Sequence, residues 1–301
     1  MPELPEITAE RGRRLAMWRE IAPARKQAPP RLRELGIYGG AQGIWVDKVR
    51  TSALPGQPSG VTVSLLHTGS SYPDDLSETG LLYHYPLTRR QPGRDSAEVE
   101  ATKAAAALQL PVFIITYPSI KAATRDVRLG WIEDWSDEAR IFLVVFGDEP
   151  PSAPAEQESD EEPFQAVGER SSIRRQVLVR AGQQRFKLRV LKRYGARCGV
   201  CAIAVPELLE AAHVRPYRLE GSHHPANGLV LCASHHRAFD ADLFAIRPDS
   251  LDLEYRPAGP RAEALAIGVS RLALLRSTPH MDAIRWHYDA WRQSVFGGSA
   301  T

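Results

Sequence analysis

The three cysteines of the chain all lie between positions 198 and 232. Cys198-Gly-Val-Cys201 is a C-x-x-C pair, and Cys232-Ala-Ser-His235 repeats the spacing with histidine in fourth place. Two close pairs of soft ligands tied by one loop are what a tetrahedral zinc ion requires. The set Cys198, Cys201, Cys232 and His235 is closed, with no open position, which argues for a structural Zn2+. It also leaves no cysteine for a disulfide, in keeping with a reducing, cytoplasmic location. No apolar run approaches transmembrane length and no signal-peptide core is visible, so no membrane partner is expected.

Around these ligands stand Glu210-Ala-Ala-His213-Val-Arg-Pro216, Asn227-Gly-Leu229 and Leu231-Cys-x-x-His-His236. Their order and spacing resemble the HNH nuclease family, with its ββα-metal fold. The resemblance implies that His213 is the general base, a role an imidazole fills near neutrality. It implies that Asn227 lies between two strands, orienting that base and bracing the loop. His236, at the start of a helix, would be the first ligand of a catalytic divalent ion. Asp240 is four residues on, on the same helical face, and would be the second. The position before the base often carries another ligand in this family. Here it is Ala212, which has no donor, so Glu210 is the candidate substitute. Oxygen-rich coordination favours Mg2+ or Mn2+. Adjacent His235 and His236 would then serve different metals. His223 and His224 read as exposed loop residues, with phosphate contact as the alternative.

Net charge is +2, but seven acids and no base fall between Asp148 and Glu162; without them the chain is +9, suited to a polyanion. That acidic, proline-rich stretch reads as a linker over 148–163. Beyond it, Arg174, Arg175, Arg185, Arg189, Lys192 and Arg193 lie on a segment whose Phe186, Val190 and Tyr194 recur at helical spacing. An apolar stripe with a cationic remainder, directly before the nuclease motif, suits contact with DNA phosphates.

The first half has a different texture. A helix is expected over 8–21, with Leu15, Trp18 and Ile21 inward. Residues 61–66, 81–85, 111–117 and 141–146 have strand composition, and 96–108 is alanine-rich and helical. This half resembles SRA domains, PUA-like β-barrels that flip modified cytosine out of duplex DNA. The resemblance is carried by Arg31-x-x-x-Leu35-Gly36, by Tyr72-Pro-Asp74-Asp75 with Gly80 and Tyr85, and by Leu110-Pro-Val112 after the helix. Residues 127–135 match the loop that closes the barrel. The resemblance implies that Tyr72 and Tyr85 stack on an extruded base, and that Asp75, or failing it Asp74, accepts from the exocyclic amine. Gly39, Gly40 and Gln42 would lie in a loop able to touch DNA.

The segment from Asp75 to Gly80 is one residue longer than in that family, and Leu81-Leu-Tyr-His84 replaces its aromatic-threonine strand. The opening MPELPE resembles formamidopyrimidine-DNA glycosylases, but their four-cysteine finger is absent. At the C-terminus, 244–246 and 251–255 suggest a hairpin. Residues 262–276 read as a leucine-rich helix. A last helix is expected from Thr278 as N-cap, with Pro279 at its first position, to about Phe296, packed through Trp286, Ala290 and Trp291.

The expected protein is therefore α+β, with an SRA-like β-barrel reader over 1–147 and an HNH domain with flanking helices over 164–301. It would act on double-stranded DNA carrying 5-methyl- or 5-hydroxymethylcytosine, as a modification-dependent endonuclease. One HNH site cuts one strand, so a double-strand break calls for a homodimer. The competing readings are an HNH endonuclease for unmodified sequence or another DNA mark, and a non-catalytic DNA-binding regulator.

Overall fold

The computed structural model describes residues 4–39, 43–68, 76–88, 91, 93–119, 122–151 and 175–297, with the backbone alone for 175–181. The chain divides into two compact units, Met1–Trp135 with Ile141–Ala155, and Ser136–Arg140 with Glu156–Thr301. No helix among the described residues is long and apolar enough to cross a membrane.

The first unit is a sheet covered by helices. Its strands are β1 (Lys26–Gln27), β2 (Ile44–Val46), β3 (Thr62–His67), β4 (Gly80–His84), β5 (Val112–Thr116), β6 (Arg125–Ser136) and β7 (Ile141–Phe146). The order is β2-β3-β5-β6-β7-β4, with β1 paired to β6. Only β3 and β5 run parallel among the ladders with a defined register, Leu65 opposite Ile114 and Leu66 opposite Ile115. Alternate residues divide between two cores, as the two-residue period of a strand demands. Val112 and Ile114 join Ile7, Leu65 and Phe142 on one face, whereas Phe113 and Ile115 join Trp18, Leu32 and Val63 on the other. Burial on both faces explains the apolar run of β5, while β3 buries Thr62 and Ser64 beside Val63 and Leu65.

Helix α1 (Pro5–Ile21) starts on a proline, whose missing N–H is harmless in a first turn. It buries Ile7, Trp18 and Ile21, while Leu15 is partly buried. Its Arg14 is wholly buried, donating to the carbonyls of Thr62 and Pro111 at 2.7 and 2.8 Å and to Glu10 at 2.7 Å. Those bonds tie the helix to the start of β3 and the approach to β5; a buried cation persists only when so paired. Short helices α2 (Pro29–Glu34) and α3 (Lys48–Thr51) flank β2, and α4 (Arg94–Ala107) leads into β5.

Two expectations change here. Residues 127–135 are not a loop; they belong to β6, whose residues 125–130 pair with β1 and β5. The described strands do not close into a barrel, since no ladder among them joins β2 to β4 and the sheet is open.

The second unit begins with α5 (Arg175–Tyr194), which packs on the hairpin of β8 (Leu209–His213) and β9 (Gly228–Cys232). Phe186, Val190 and Tyr194 are buried, as their spacing predicts. Gly228 permits the close approach: a Cβ there would meet Val190 Cγ2 at 2.3 Å and Phe186 Cζ at 3.0 Å. Helix α6 (Ala233–Asp240) follows β9 directly, and β10 (Phe244–Ile246) pairs with β11 (Leu253–Tyr255).

The leucine-rich segment is helical only over α7 (Ala262–Leu265), which stops at Ala266 in the left-handed region with φ 55°. Tertiary bonds replace the helical ones beyond it: Gly268 N–H donates to Val200 O, and Leu272 N–H to Leu251 O. The last helix, α8 (Met281–Phe296), begins later than expected, capped by the His280 ring, which accepts from Asp282 N–H. Its buried face is Ala283, Ile284, His287 and Trp291, while Trp286 is half-buried under the Arg215 guanidinium.

Candidate active site and metal centre

The hairpin sets the geometry. Strands β8 and β9 pair antiparallel with Leu209 opposite Cys232 and His213 opposite Gly228, so the candidate metal ligand Cys232 and the candidate base lie at opposite ends. At the Cys232 end, the sulfurs of Cys198, Cys201 and Cys232 and a ring nitrogen of His235 lie within 4.8 Å of one another, all four residues buried. The C-x-x-C loop is held by backbone bonds from Cys198 N–H to Ile203 O and from Gly199 N–H to Val230 O, both 2.8 Å. His235 Nε2 donates to Leu265 O at 2.8 Å, which leaves Nδ1 bare and 3.1 Å from Cys232 Sγ. A carbonyl on the far ring nitrogen is what orients a ligating histidine. Burial pushes the Cys198 thiol up to about 12. A cation among the sulfurs would reverse that, because a coordinated thiol is deprotonated. The donor set therefore fits a soft, tetrahedral metal ion.

His235 and His236 are neighbours on α6 but face different groups, since successive helical residues point about 100° apart. His236 Nδ1 donates to Glu210 Oε2 at 2.6 Å, and its Nε2 lies 3.5 Å from Asp240 Oδ2. That hydrogen bond holds the Glu210 carboxyl below the usual carboxylate range against its partial burial, and Lys187 and Arg237 add to the effect. Asp240 is 64% exposed and the longer of the two contacts. Glu210 is thus the main partner of His236. Its signal was in the strand period: Glu210 lies two residues before Ala212, on the same face of β8.

At the other end of the hairpin, His213 is half-buried and stacks on Phe186, with ring centroids 3.8 Å apart and planes 10° from parallel. Burial drives its pKa down to about 3, with His223 and His236 adding to the fall, so the ring is neutral and carries a bare nitrogen. Asn227 is wholly buried, and its side-chain hydrogen bonds go to the loop rather than to that ring. Its Oδ1 accepts from Arg215 N–H at 2.9 Å, and its Nδ2 donates to Arg215 O and Ser222 O at 3.0 and 2.9 Å. It braces the 214–227 loop, with Val214 N–H donating to Asn227 O across the mouth. His223 is not an exposed loop residue: it is half-buried, with Nδ1 3.1 Å from His213 Nε2. Nothing in its sequence surroundings marked that contact.

A two-stranded antiparallel hairpin running straight into a helix, with histidines on strand and helix, is a ββα arrangement. Residues 198–247 match the model of an HNH endonuclease family. They are an HNH endonuclease domain. The match ends at the close of β10, so α5, β11 and the last helices are outside it. No curated protein matches the chain by sequence. Among solved structures, a modification-dependent TagI restriction endonuclease aligns over 89% of this chain and 91% of its own, at 18% identity and a TM-score of 0.33. An overlay that loose carries no argument about this chain.

The cationic residues expected on the HNH domain's leading helix divide. Arg174 lies outside the described residues, and for Arg175 only the backbone is described. Arg185, Arg189 and Arg193 are half-buried on α5 and Lys192 is exposed, while Lys187 is close enough to lower the Glu210 pKa. In the first unit, Tyr85 packs half-buried against Phe142, centroids 4.5 Å apart. Tyr72, Asp74 and Asp75, like Gly40 and Gln42, lie outside the described residues. Gly39 is described, and the Trp45 ring covers it so closely that a Cβ would be 2.2 Å away.

Proposed function

We propose that the chain is a modification-dependent DNA endonuclease in which the HNH domain hydrolyses phosphodiester bonds and the first unit, over 1–147, reads a modified cytosine. The observation that carries the nuclease half is a pair of histidines: neutral His213 at the end of β8, and His236 on α6 with Glu210 and Asp240 about it and close enough to lower the His213 pKa. His213 takes the proton of an in-line water, which attacks phosphorus as the P–O bond to the leaving oxygen breaks. A scissile phosphate beside the ring favours its protonated form, lifting the pKa from its low resting value as the proton arrives. His236, Glu210 and Asp240 would hold Mg2+ or Mn2+, which supplies positive charge to the phosphate and the leaving oxygen. Cys198, Cys201, Cys232 and His235 would hold a structural Zn2+. Asn227 keeps the loop after His213 in place.

The reader assignment rests on the sequence resemblance around Arg31, Tyr72–Gly80 and Tyr85. In it, Tyr72 and Tyr85 stack on the extruded base and Asp75 or Asp74 accepts from its amine. The basic segment 174–193, with Arg174, Arg175, Arg185, Arg189, Lys192 and Arg193, holds the DNA backbone. The protein would act in the cytoplasm, as a dimer where it breaks both strands.

The test is cleavage of matched methylated, hydroxymethylated and plain plasmids with Mg2+ or Mn2+. His213→Ala should lower kcat about 10²- to 10⁴-fold, the usual worth of a general base, with zinc content and DNA binding near wild type. Tyr85→Ala should cost about 5- to 150-fold in affinity for modified DNA only. Equal cutting of modified and plain DNA by the wild type would leave an HNH endonuclease without the reader. Binding without cutting would make the protein a regulator.

A further inference from the structure

The contact between His213 and His223 has a chemical consequence that neither residue has alone. Two imidazole nitrogens 3.1 Å apart need one proton between them. If His223 Nδ1 donated it, His213 would keep its own proton on Nδ1 and have no nitrogen free to accept another. If His213 Nε2 donates it, Nδ1 keeps a lone pair, and Nδ1 has no hydrogen bond to any described residue.

His223 is held for that contact from two sides. Its ring stacks on Tyr217, centroids 4.3 Å apart and planes 9° from parallel. On another side lies Gly182 of α5, where a Cβ would meet His223 Cδ2 at 2.7 Å and Nε2 at 2.9 Å. A glycine inside a helix costs about 0.5–1 kcal/mol relative to alanine, so its presence has a reason, and here the reason is room for the imidazole. His213 is fixed in its turn by Phe186. Both rings of the pair are therefore clamped face-on by aromatic neighbours, and the loop that carries His223 is braced at Ser222 by Asn227.

We propose that His223 is a positioning residue for the base: its Nδ1 accepts from His213 Nε2–H and thereby selects the tautomer that leaves His213 Nδ1 to take the proton of the attacking water. This rests on the reading of His213 as general base. His223 acts through His213 and is not itself the base.

The experiment uses the full-length, zinc-loaded chain. Long-range proton–nitrogen NMR should find His213 as the Nε2–H tautomer in the wild type and a mixture in His223→Leu. In plasmid cleavage, His223→Leu should lower kcat roughly 10- to 100-fold, less than loss of the base itself, with KM within about 3-fold. His223→Asn, whose side-chain oxygen stands where Nδ1 was, should recover most of the rate. Gly182→Ala should displace the His223 ring and lower kcat while thermal stability stays level or rises. An Nδ1–H tautomer in the wild type, a folded His223→Leu with wild-type kcat, or an Asn variant as slow as the Leu variant would each overturn the proposal. A wild-type protein inert on every DNA would instead sink the nuclease reading beneath it, whereas the wrong tautomer in a protein that cuts would sink this inference alone.

Discussion

In the first unit, β3 and β5 are covered on both faces, and Val63, Leu65, Phe113 and Ile114 are wholly buried among apolar side chains. In the second, buried polar groups gather around the β8–β9 hairpin: three thiols, the His235 imidazole and the Asn227 amide. Apolar burial is non-directional and roughly proportional to area, so it tolerates exchange and weakens by increments. Buried polar groups are held by particular partners, and one lost partner leaves the other stranded at full desolvation cost. The difference teaches where chemistry can be placed. A site needs imidazoles fixed in orientation, and the packing around the hairpin supplies that for His213, His235 and His236.

Removing the metal should break the comparison most sharply. Chelation, or Cys198→Ser, should abolish hydrogen-exchange protection over β8, β9 and α6 in the full chain, because ion binding and folding are one process in such sites. Protection over β3, β5 and β7 should persist, and unchanged protection of the hairpin would sink the ligand assignment. The converse experiment is Phe113→Ala, expected to cost the first unit about 3–5 kcal/mol through the cavity it leaves. Metal content and cleavage chemistry should hold; loss of bound zinc in that variant would show that the two units do not stand on separate supports.

Acid should find the second unit first. His287 is buried against Phe239, centroids 4.1 Å apart, and burial lowers its pKa to about 4. The unfolded chain takes up a proton near the ordinary value of 6.5 while the native chain does not. The stability this residue protects is therefore complete above pH 6.5 and falls as pH drops towards 4, by about 1.4 kcal/mol per unit at most. His287→Phe, measured in excess zinc, should flatten that decline; an identical slope would remove His287 as its cause. The smallest effect expected is from Asn227→Ala. It strands the Arg215 N–H and leaves two carbonyls short of a donor, at about 2 kcal/mol, and a thermal melt of the second unit would measure it.

Legibility followed the same division. Strands 111–117 and 141–146 were readable because double-sided burial demands apolar runs, 61–66 from its β-branched composition, and the face of α5 from Phe186, Val190 and Tyr194. The cluster of Cys198, Cys201, Cys232 and His235 was readable because metal chemistry admits few residue types at few spacings. Misreadings arose where partners came from afar. Residues 127–135 match a loop in the SRA resemblance, yet they lie in β6, where 127–130 pair with β5. Residues 262–276 have helical composition, yet the carbonyl of Leu265 serves His235, and the N–H groups of Gly268 and Leu272 go to Val200 and Leu251.

From residues alone came the candidate metal-ligand set, the order His213, Asn227, His236, and the apolar runs of the sheet, all of them consequences of residue type and spacing along the chain. Tertiary structure alone decided which group answers which histidine. Glu210 rather than Asp240 is the near partner of His236, His223 rather than Asn227 hydrogen-bonds with His213, and the carbonyl of Leu265 orients His235. Those pairings depend on distances of about 3 Å between atoms brought together by packing α5 and the 262–276 segment against the hairpin. Spacing along a chain carries no record of them, because a hydrogen bond is selected by where a donor ends up and not by its distance in sequence.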